Sequence, residues 1–500
     1  MRYTTIFSAL LASVSLCAAE QVPESGSLSS TSAAYDGQSL MLTGHVVLDH
    51  GLGKMMAEEA NLQKQEAAGK DFPFAQILLR KDVLLALKNS AEIRCSQAEL
   101  DFTTLKGLLQ AAQGEKVAYT DALKTKKNSP SSPLQLLSRE IELNFSKWEP
   151  DGKKAEYEVE TILATTDVEI HYANNFHLSA DKALYRKQIS GSQKNASKDF
   201  QGVITAYPKD ALTQCRLTHE GDIIDADSAD LDLLNEKMSL LHPKGILASA
   251  IIPHVQQGQL TFQCDHLTWD NPKNKLTLKG NVRIQDDALE TIETEDYLEI
   301  DQPLVKGKRV LKGIRAHGPT TLTYNDPQHG GYHKVLCHGN AQIDREKLQA
   351  TLDSPKTDGK VLPHQQLYYE EAELCIRADQ AAFEYSVADN TLQPVSLALK
   401  GAVRLSSLGT QKPPRCGVAD RLNYSLTTRT LILSANPGKK VLFWDESQGA
   451  RVSANEVHIT EDSLTKQQLI RGIGNVQFAF TAEENALLQQ LFPQLKINHE

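Results

Sequence analysis

Apolar and polar residues alternate along most of this chain with a period of two, and glycine punctuates the alternation. Leu40-Met41-Leu42-Thr43-Gly44 runs into Val46-Val47-Leu48, and Leu276-Thr277-Leu278-Lys279-Gly280 runs into Val282-Arg283-Ile284. A period of two sends successive side chains to opposite faces, so each run predicts a half-buried strand. The phrase "Gly, a small or polar residue, then alternating apolar positions" occurs at Gly44-His45-Val46-Val47-Leu48 and Gly280-Asn281-Val282-Arg283-Ile284. It returns at Gly339-Asn340-Ala341-Gln342-Ile343, Gly401-Ala402-Val403-Arg404-Leu405 and Gly474-Asn475-Val476-Gln477-Phe478. Between these copies lies a second phrase, Ala-Asp-x-Ala-x-apolar. It begins at Ala180-Asp181, Ala226-Asp227 and Ala378-Asp379, with looser copies at Ala57-Glu58, Cys264-Asp265 and Ala419-Asp420. Such repetition predicts a stacked β scaffold, because every rung needs the same backbone geometry and the same buried face.

The glycine of the first phrase falls inside a strand pattern, where glycine marks a bulge, a bend or the close approach of a neighbour. Gly44, Gly280, Gly339, Gly401 and Gly474 are therefore expected to be structural. In one rung Asn89 stands where glycine would be, and near Leu163–Ile170 the position passes to Thr165 or Thr166. Asn is the next most permissive residue for positive φ.

Two stretches break the pattern. Residues 57–91 include helix-like spacing at Ile77, Leu78, Leu84, Leu85 and Leu87, although the second half fits a strand as well. Residues 105–137 are polar, with Lys124–Lys127 leading into Pro130 and Pro133, and read as an insertion or mobile loop. Glu483–Phe492 has amphipathic helical spacing that Pro493 ends. The expected organisation is an export segment (1–19), a Ser-rich flexible leader (20–33), a first β block (34–260), a second β block (261–480) and a helical tail (481–500). The fold class expected is all-β: an elongated, partly open stack of antiparallel repeats with a few short helices.

The N-terminus sharpens the compartment. Arg2 is followed by a short apolar run from Ile6 to Leu16, and Cys17-Ala18-Ala19 offers small residues to a signal peptidase, with cleavage before Glu20. Lipidation of Cys17 is the rival, weakened by Leu16, because lipoprotein sites want a small residue there. Export to the periplasm follows from the first reading. Loss of residues 1–19 removes one Arg and no acid, taking the net charge from −10 to −11. Capture of a phosphate backbone needs clustered Lys and Arg, so the acidic balance argues against nucleic acid. Six cysteines remain: Cys95, Cys215, Cys264, Cys337, Cys375 and Cys416. Their number permits disulfides, while their wide spacing inside strand patterns suits small buried apolar residues. No CxxC pair suggests zinc.

The paired phrases resemble the OstA-like family of lipopolysaccharide-transport proteins, most strongly over 261–480, with a clear copy at 35–62 and a fair one at 217–247. The resemblance implies a twisted, slightly open β-jellyroll whose two sheets gape along one side. It further implies lipopolysaccharide or lipooligosaccharide as cargo, acyl chains lying in the groove, and units joined to OstA-like partners through unpaired edge strands. The chain is several times longer than a single bridge unit, and no transmembrane barrel follows the repeats.

The groove candidates are the apolar residues after each glycine: Val46, Leu48, Val282, Ile284, Ala341, Ile343, Val403, Leu405, Val476 and Phe478. Groove and core share this pattern, so it does not separate them. The recurrent acids Asp181, Asp227, Asp265, Asp379 and Asp420 lack the dense oxygen spacing of a Ca²⁺ loop, and a turn or strand-edge role is expected. His317, His329, His333 and His338 form the one histidine concentration, without acids or cysteines at metal-ligand spacing. GxSxG, P-loop and HExxH signatures are missing, so neither an enzyme nor a cofactor is expected. A carbohydrate-active β-helix enzyme and an envelope structural protein without lipid cargo are the rival readings.

Overall fold

The computed structural model describes residues 27–64, 74–88, 91–122, 133–148, 155–172, 175–187, 202–233, 235–247, 260–286, 290–305, 308–326, 331–371, 374–388, 391–407, 414–461 and 468–493. Strands make up 71% of the chain and helix 4%, so the protein is all-β, as its period of two predicts. Pairing is antiparallel and engages 39 strands in sheet. The export segment and the start of the leader lie outside the described residues, as do Asn89 and His329.

Two compact units are present: 1–119 with 142–160, and 120–141 with 161–500. In the first, Ser39–His50, Gly53–Lys64, Phe74–Leu87 and Glu92–Asp101 pair in sequence. Leu48, Met55, Leu62, Ile77, Leu79, Leu85, Ile93 and Leu100 form its dry interior. The helix-like spacing at 77–87 is thus a strand. Ile77, Leu79, Leu85 and Leu87 face inward at alternate positions on either side of a bulge at Lys81-Asp82, and that bulge is what disturbs the period. The leader also departs from expectation. Leu28–Ser29 and Ser32–Tyr35 are strands on Ser39–His50, because that strand's outer edge needs hydrogen-bond partners. The supposed insertion contains Lys106–Gln110, Val117–Ala122 and Pro133–Ser138 as strands, while 123–132 lies outside the described residues.

The second unit is built from two ladders. One runs through Lys237–Leu241, His266–Asp270, Lys275–Lys279, Tyr297–Asp301, Gly313–His317, Asn340–Asp344, Gln349–Asp353 and Gln380–Ala388. The other runs through Lys244–Leu247, Leu260–Gln263, Val282–Asp286, Glu290–Thr294, Thr320–Asp326, Gly331–Cys337, Leu367–Glu371 and Leu374–Ala378. The chain passes repeatedly from one ladder to the other, and at Thr391–Ser407 a single strand bends to serve both. Strands that switch sheets do so through bulges or bends.

Those corners explain the two sequence phrases. Gly44-His45, Gly280-Asn281, Gly401-Ala402 and Gly474-Asn475 are each a consecutive pair of residues with φ between +43° and +81°. Glycine is favoured first because L residues pay for that backbone region. In two copies of the second phrase the acid sits at the neighbouring corner. Asp265 N–H donates to Gly280 O at 2.9 Å, and Asp379 N–H donates to Gly401 O at 3.0 Å. Thr31 and Asn455 make the same bond to Gly44 and Gly474, at 2.8 and 3.0 Å. Gly339 is different. Its φ is not in the left-handed region, and it is crowded instead by the Asp353 carbonyl. A left-handed corner occurs instead at Gly318, between Gly313–His317 and Thr320–Asp326, set against Asp296.

Among the described residues there is one α-helix, Ala482–Leu491, near the C-terminal end. A capping box joins Thr481 and Glu484 at its start. Leu488 and Phe492 pack on Cys416, Leu442 and Trp444.

Candidate functional site

Between the two ladders of the second unit lies a narrow slot of about 50 Å³. Ile292, Leu322, Val335 and Tyr369 reach it from one ladder, and Ile343, Phe383 and Leu397 from the other. The ladders therefore face each other across it. Tyr324, Tyr385, Pro394 and Leu426 are half-buried at its rim. The lining is overwhelmingly apolar, and a pocket of this kind recognises shape and hydrocarbon rather than hydrogen-bonding groups.

One polar chain crosses the slot wall. The Tyr369 phenol donates to Glu371 Oε2 at 3.1 Å, and His333 Nδ1 lies 2.8 Å from the phenol oxygen. With the phenol proton committed to Glu371, His333 donates from Nδ1. Burial, reinforced by the Glu371 charge, pushes the Tyr369 phenol well above its ordinary pKa, so the phenol stays neutral.

Of the ten groove candidates, Ile343 lines the slot. Val46, Leu48, Val282, Ile284, Ala341, Val403 and Leu405 are buried in the rungs, with 3% exposure or less. Val476 and Phe478 lie at the C-terminal corner, exposed to 36% and 76%. Sequence reasoning missed Tyr369, Phe383 and Leu397. Phe383 was within reach, since it is the apolar end of the phrase that begins at Ala378-Asp379.

The other candidates separate. His317 stacks on Tyr297 at 4.2 Å, while His333 holds Tyr369 on the opposite ladder, so these two do not converge. The acids serve corners or pair with neighbours: Asp227 with His242 at 2.9 Å, and Asp420 with Lys439 at 2.9 Å. All six cysteines described are free thiols. Burial pushes Cys95, Cys215, Cys264 and Cys416 up to about 12, which leaves them unreactive at neutral pH.

Compared with family models and with curated proteins, the chain matches none of them. The class that can be stated is that of an all-β protein with two facing antiparallel ladders and an apolar slot between them.

Proposed function

We propose that the chain is a non-enzymatic, periplasmic lipid-binding scaffold that carries lipopolysaccharide or lipooligosaccharide toward the outer membrane, acyl chains entering between the two ladders. The observation that carries this reading is the slot, whose walls come from alternate residues of both ladders. Acyl chains need apolar area and little directional bonding, at about 25 cal/mol per Å² removed from water. About 50 Å³ is small beside ligand pockets, which run to several hundred Å³. The slot therefore receives a chain by parting of its half-buried rim at Tyr324, Tyr385, Pro394 and Leu426. The resemblance of the paired phrases to OstA-like proteins and the N-terminal export signal support the same reading.

A photo-crosslinking amino acid at Tyr385, in living cells, tests it. The expected product is a covalent adduct with lipopolysaccharide, weaker when the probe stands at exposed Leu212. Equal labelling at the two positions, or none at Tyr385, refutes it. The dense burial of the remaining rungs favours a second reading, a structural envelope stack without cargo, and failure of crosslinking would select it.

A further inference from the structure

We propose that Glu169, His171 and His177 form a binding site for a divalent transition-metal ion of the zinc class. The three are brought together by strand geometry in the second unit. Glu169 and His171 are two apart on the strand Glu156–Tyr172, so their side chains share a face. His177, on Phe176–Lys187, is the direct antiparallel partner of His171. Directly opposed Cβ atoms lie about 4.5–5.5 Å apart, which lets two imidazoles reach one point. The ligand atoms of all three residues lie within 4.8 Å of one another. His171 Nε2 is already 3.4 Å from Glu169 Oε2, and the two imidazole rings have centroids 4.7 Å apart.

Donors held about 2.0–2.1 Å from a tetrahedral zinc ion are roughly 3.3 Å from each other. The Glu169–His171 pair matches that separation, and all three ligand atoms already lie within 4.8 Å of one another. Two imidazoles and one carboxylate suit zinc or its neighbours in the first transition row, whereas calcium and magnesium want more oxygens. Three protein ligands leave a coordination position for water or for a donor from another molecule. All three side chains are partly exposed, so an ion can enter from solvent. Along the flanks the face is completed by Gln135, opposite His171, and Thr218, opposite His177. The sequence signal was a Glu-x-His pair followed by a histidine across a short Asn-rich connection, and it does not depend on the lipid reading.

The test is equilibrium dialysis of the full exported chain against ZnCl₂, with CoCl₂ as a spectroscopic stand-in. One ion per chain is expected, with affinity falling at least tenfold in His171→Ala and in His177→Ala and unchanged in His45→Ala, an exposed histidine elsewhere. Circular dichroism confirms that each variant is folded. Cobalt should show ligand-field bands without the thiolate charge-transfer band that cysteine ligation would give. Absence of binding in the parent, parental affinity in either histidine variant, or a thiolate band would each overturn the assignment.

Discussion

Asp265 and Gly280 meet at adjacent corners of the second unit, and each explains the other. The Asp265 N–H donates to the Gly280 carbonyl at 2.9 Å, while its carboxylate occupies the space a Cβ on residue 280 would need. Asn281 Nδ2 donates to the same carboxylate at 3.0 Å. Asp379 and Gly401 repeat the arrangement. In these two rungs the recurring phrases are thus the two halves of one contact.

Gly280→Ala should destabilise the protein by about 2–3 kcal/mol, from positive-φ strain of roughly 1–2 kcal/mol and collision with Asp265. In an Asp265→Ala background the collision disappears, and the cost of the same change should fall to about 1 kcal/mol. Urea denaturation of the four proteins in this cycle measures the coupling. Strict additivity would show that the carboxylate does not constrain residue 280.

Much of this scaffold was legible beforehand, and the reason is local. Alternation at Leu276–Ile284 or Leu397–Leu405 is imposed by the pleat itself, and glycine is imposed by the left-handed corner. Where other residues hold the corner the phrase weakens: Thr166-Asp167 lies where the position was expected to pass to Thr165 or Thr166, whereas nothing in the pattern marked Lys81-Asp82, and the strand around it read as helix-like. The slot was far less legible. Ile343 and Val403 have the same pattern, yet one lines the slot and the other lies in solid core, and that difference depends on residues distant in sequence. The Glu169–His171–His177 cluster was hidden for a related reason, since its third member is defined by cross-strand register.

Core and slot should respond differently to the same chemistry. Ile284 is 1% exposed, so Ile284→Asp buries a carboxylate without partners and should abolish cooperative folding. Tyr385→Asp, at the half-buried rim, should cost about 1–2 kcal/mol and leave a folded chain whose lipid binding falls at least tenfold. Thermal unfolding monitored by circular dichroism, with fluorescent-lipid titration of the folded variant, distinguishes the two. Unaltered lipid binding in Tyr385→Asp would remove the rim from the binding path.

Stability should decline in mild acid because of two histidines, one in each unit. Burial, assisted by Lys88, pulls His50 down to about 4 from an ordinary 6.5. Its Nδ1 accepts from Leu52 N–H at 3.2 Å, a bond that requires the unprotonated nitrogen. Burial pulls His219 down to about 4 as well, with Glu220 opposing and Arg309 reinforcing the shift. Each folded pKa lies below the unfolded one, so the unfolded state binds the extra proton first. The stabilisation is complete above pH 6.5 and is lost as pH falls toward 4. His50→Gln should flatten this decline by about 2 kcal/mol, an effect of the order expected for a buried imidazole. Urea midpoints at pH 7.5 and 4.5 check it, and an equally steep decline in the variant would assign the proton uptake elsewhere.

The strand Gln468–Ile473 pairs with Glu456–Glu461 on one flank, and its other flank carries no strand pairing among the described residues. Leu469 is 65% exposed on it, and Phe478 is exposed just beyond. An open edge with apolar side chains invites addition of a strand from another chain, and a lysine on the edge is the usual deterrent. Leu469→Lys should therefore leave stability within about 0.5 kcal/mol of the parent, as expected for an exposed site. Concentration-dependent association should weaken, as measured by sedimentation velocity. If the parent associates and the variant does so equally, this edge is not the joining surface; if Leu469→Lys unfolds the chain, the edge is covered by a part of the protein itself.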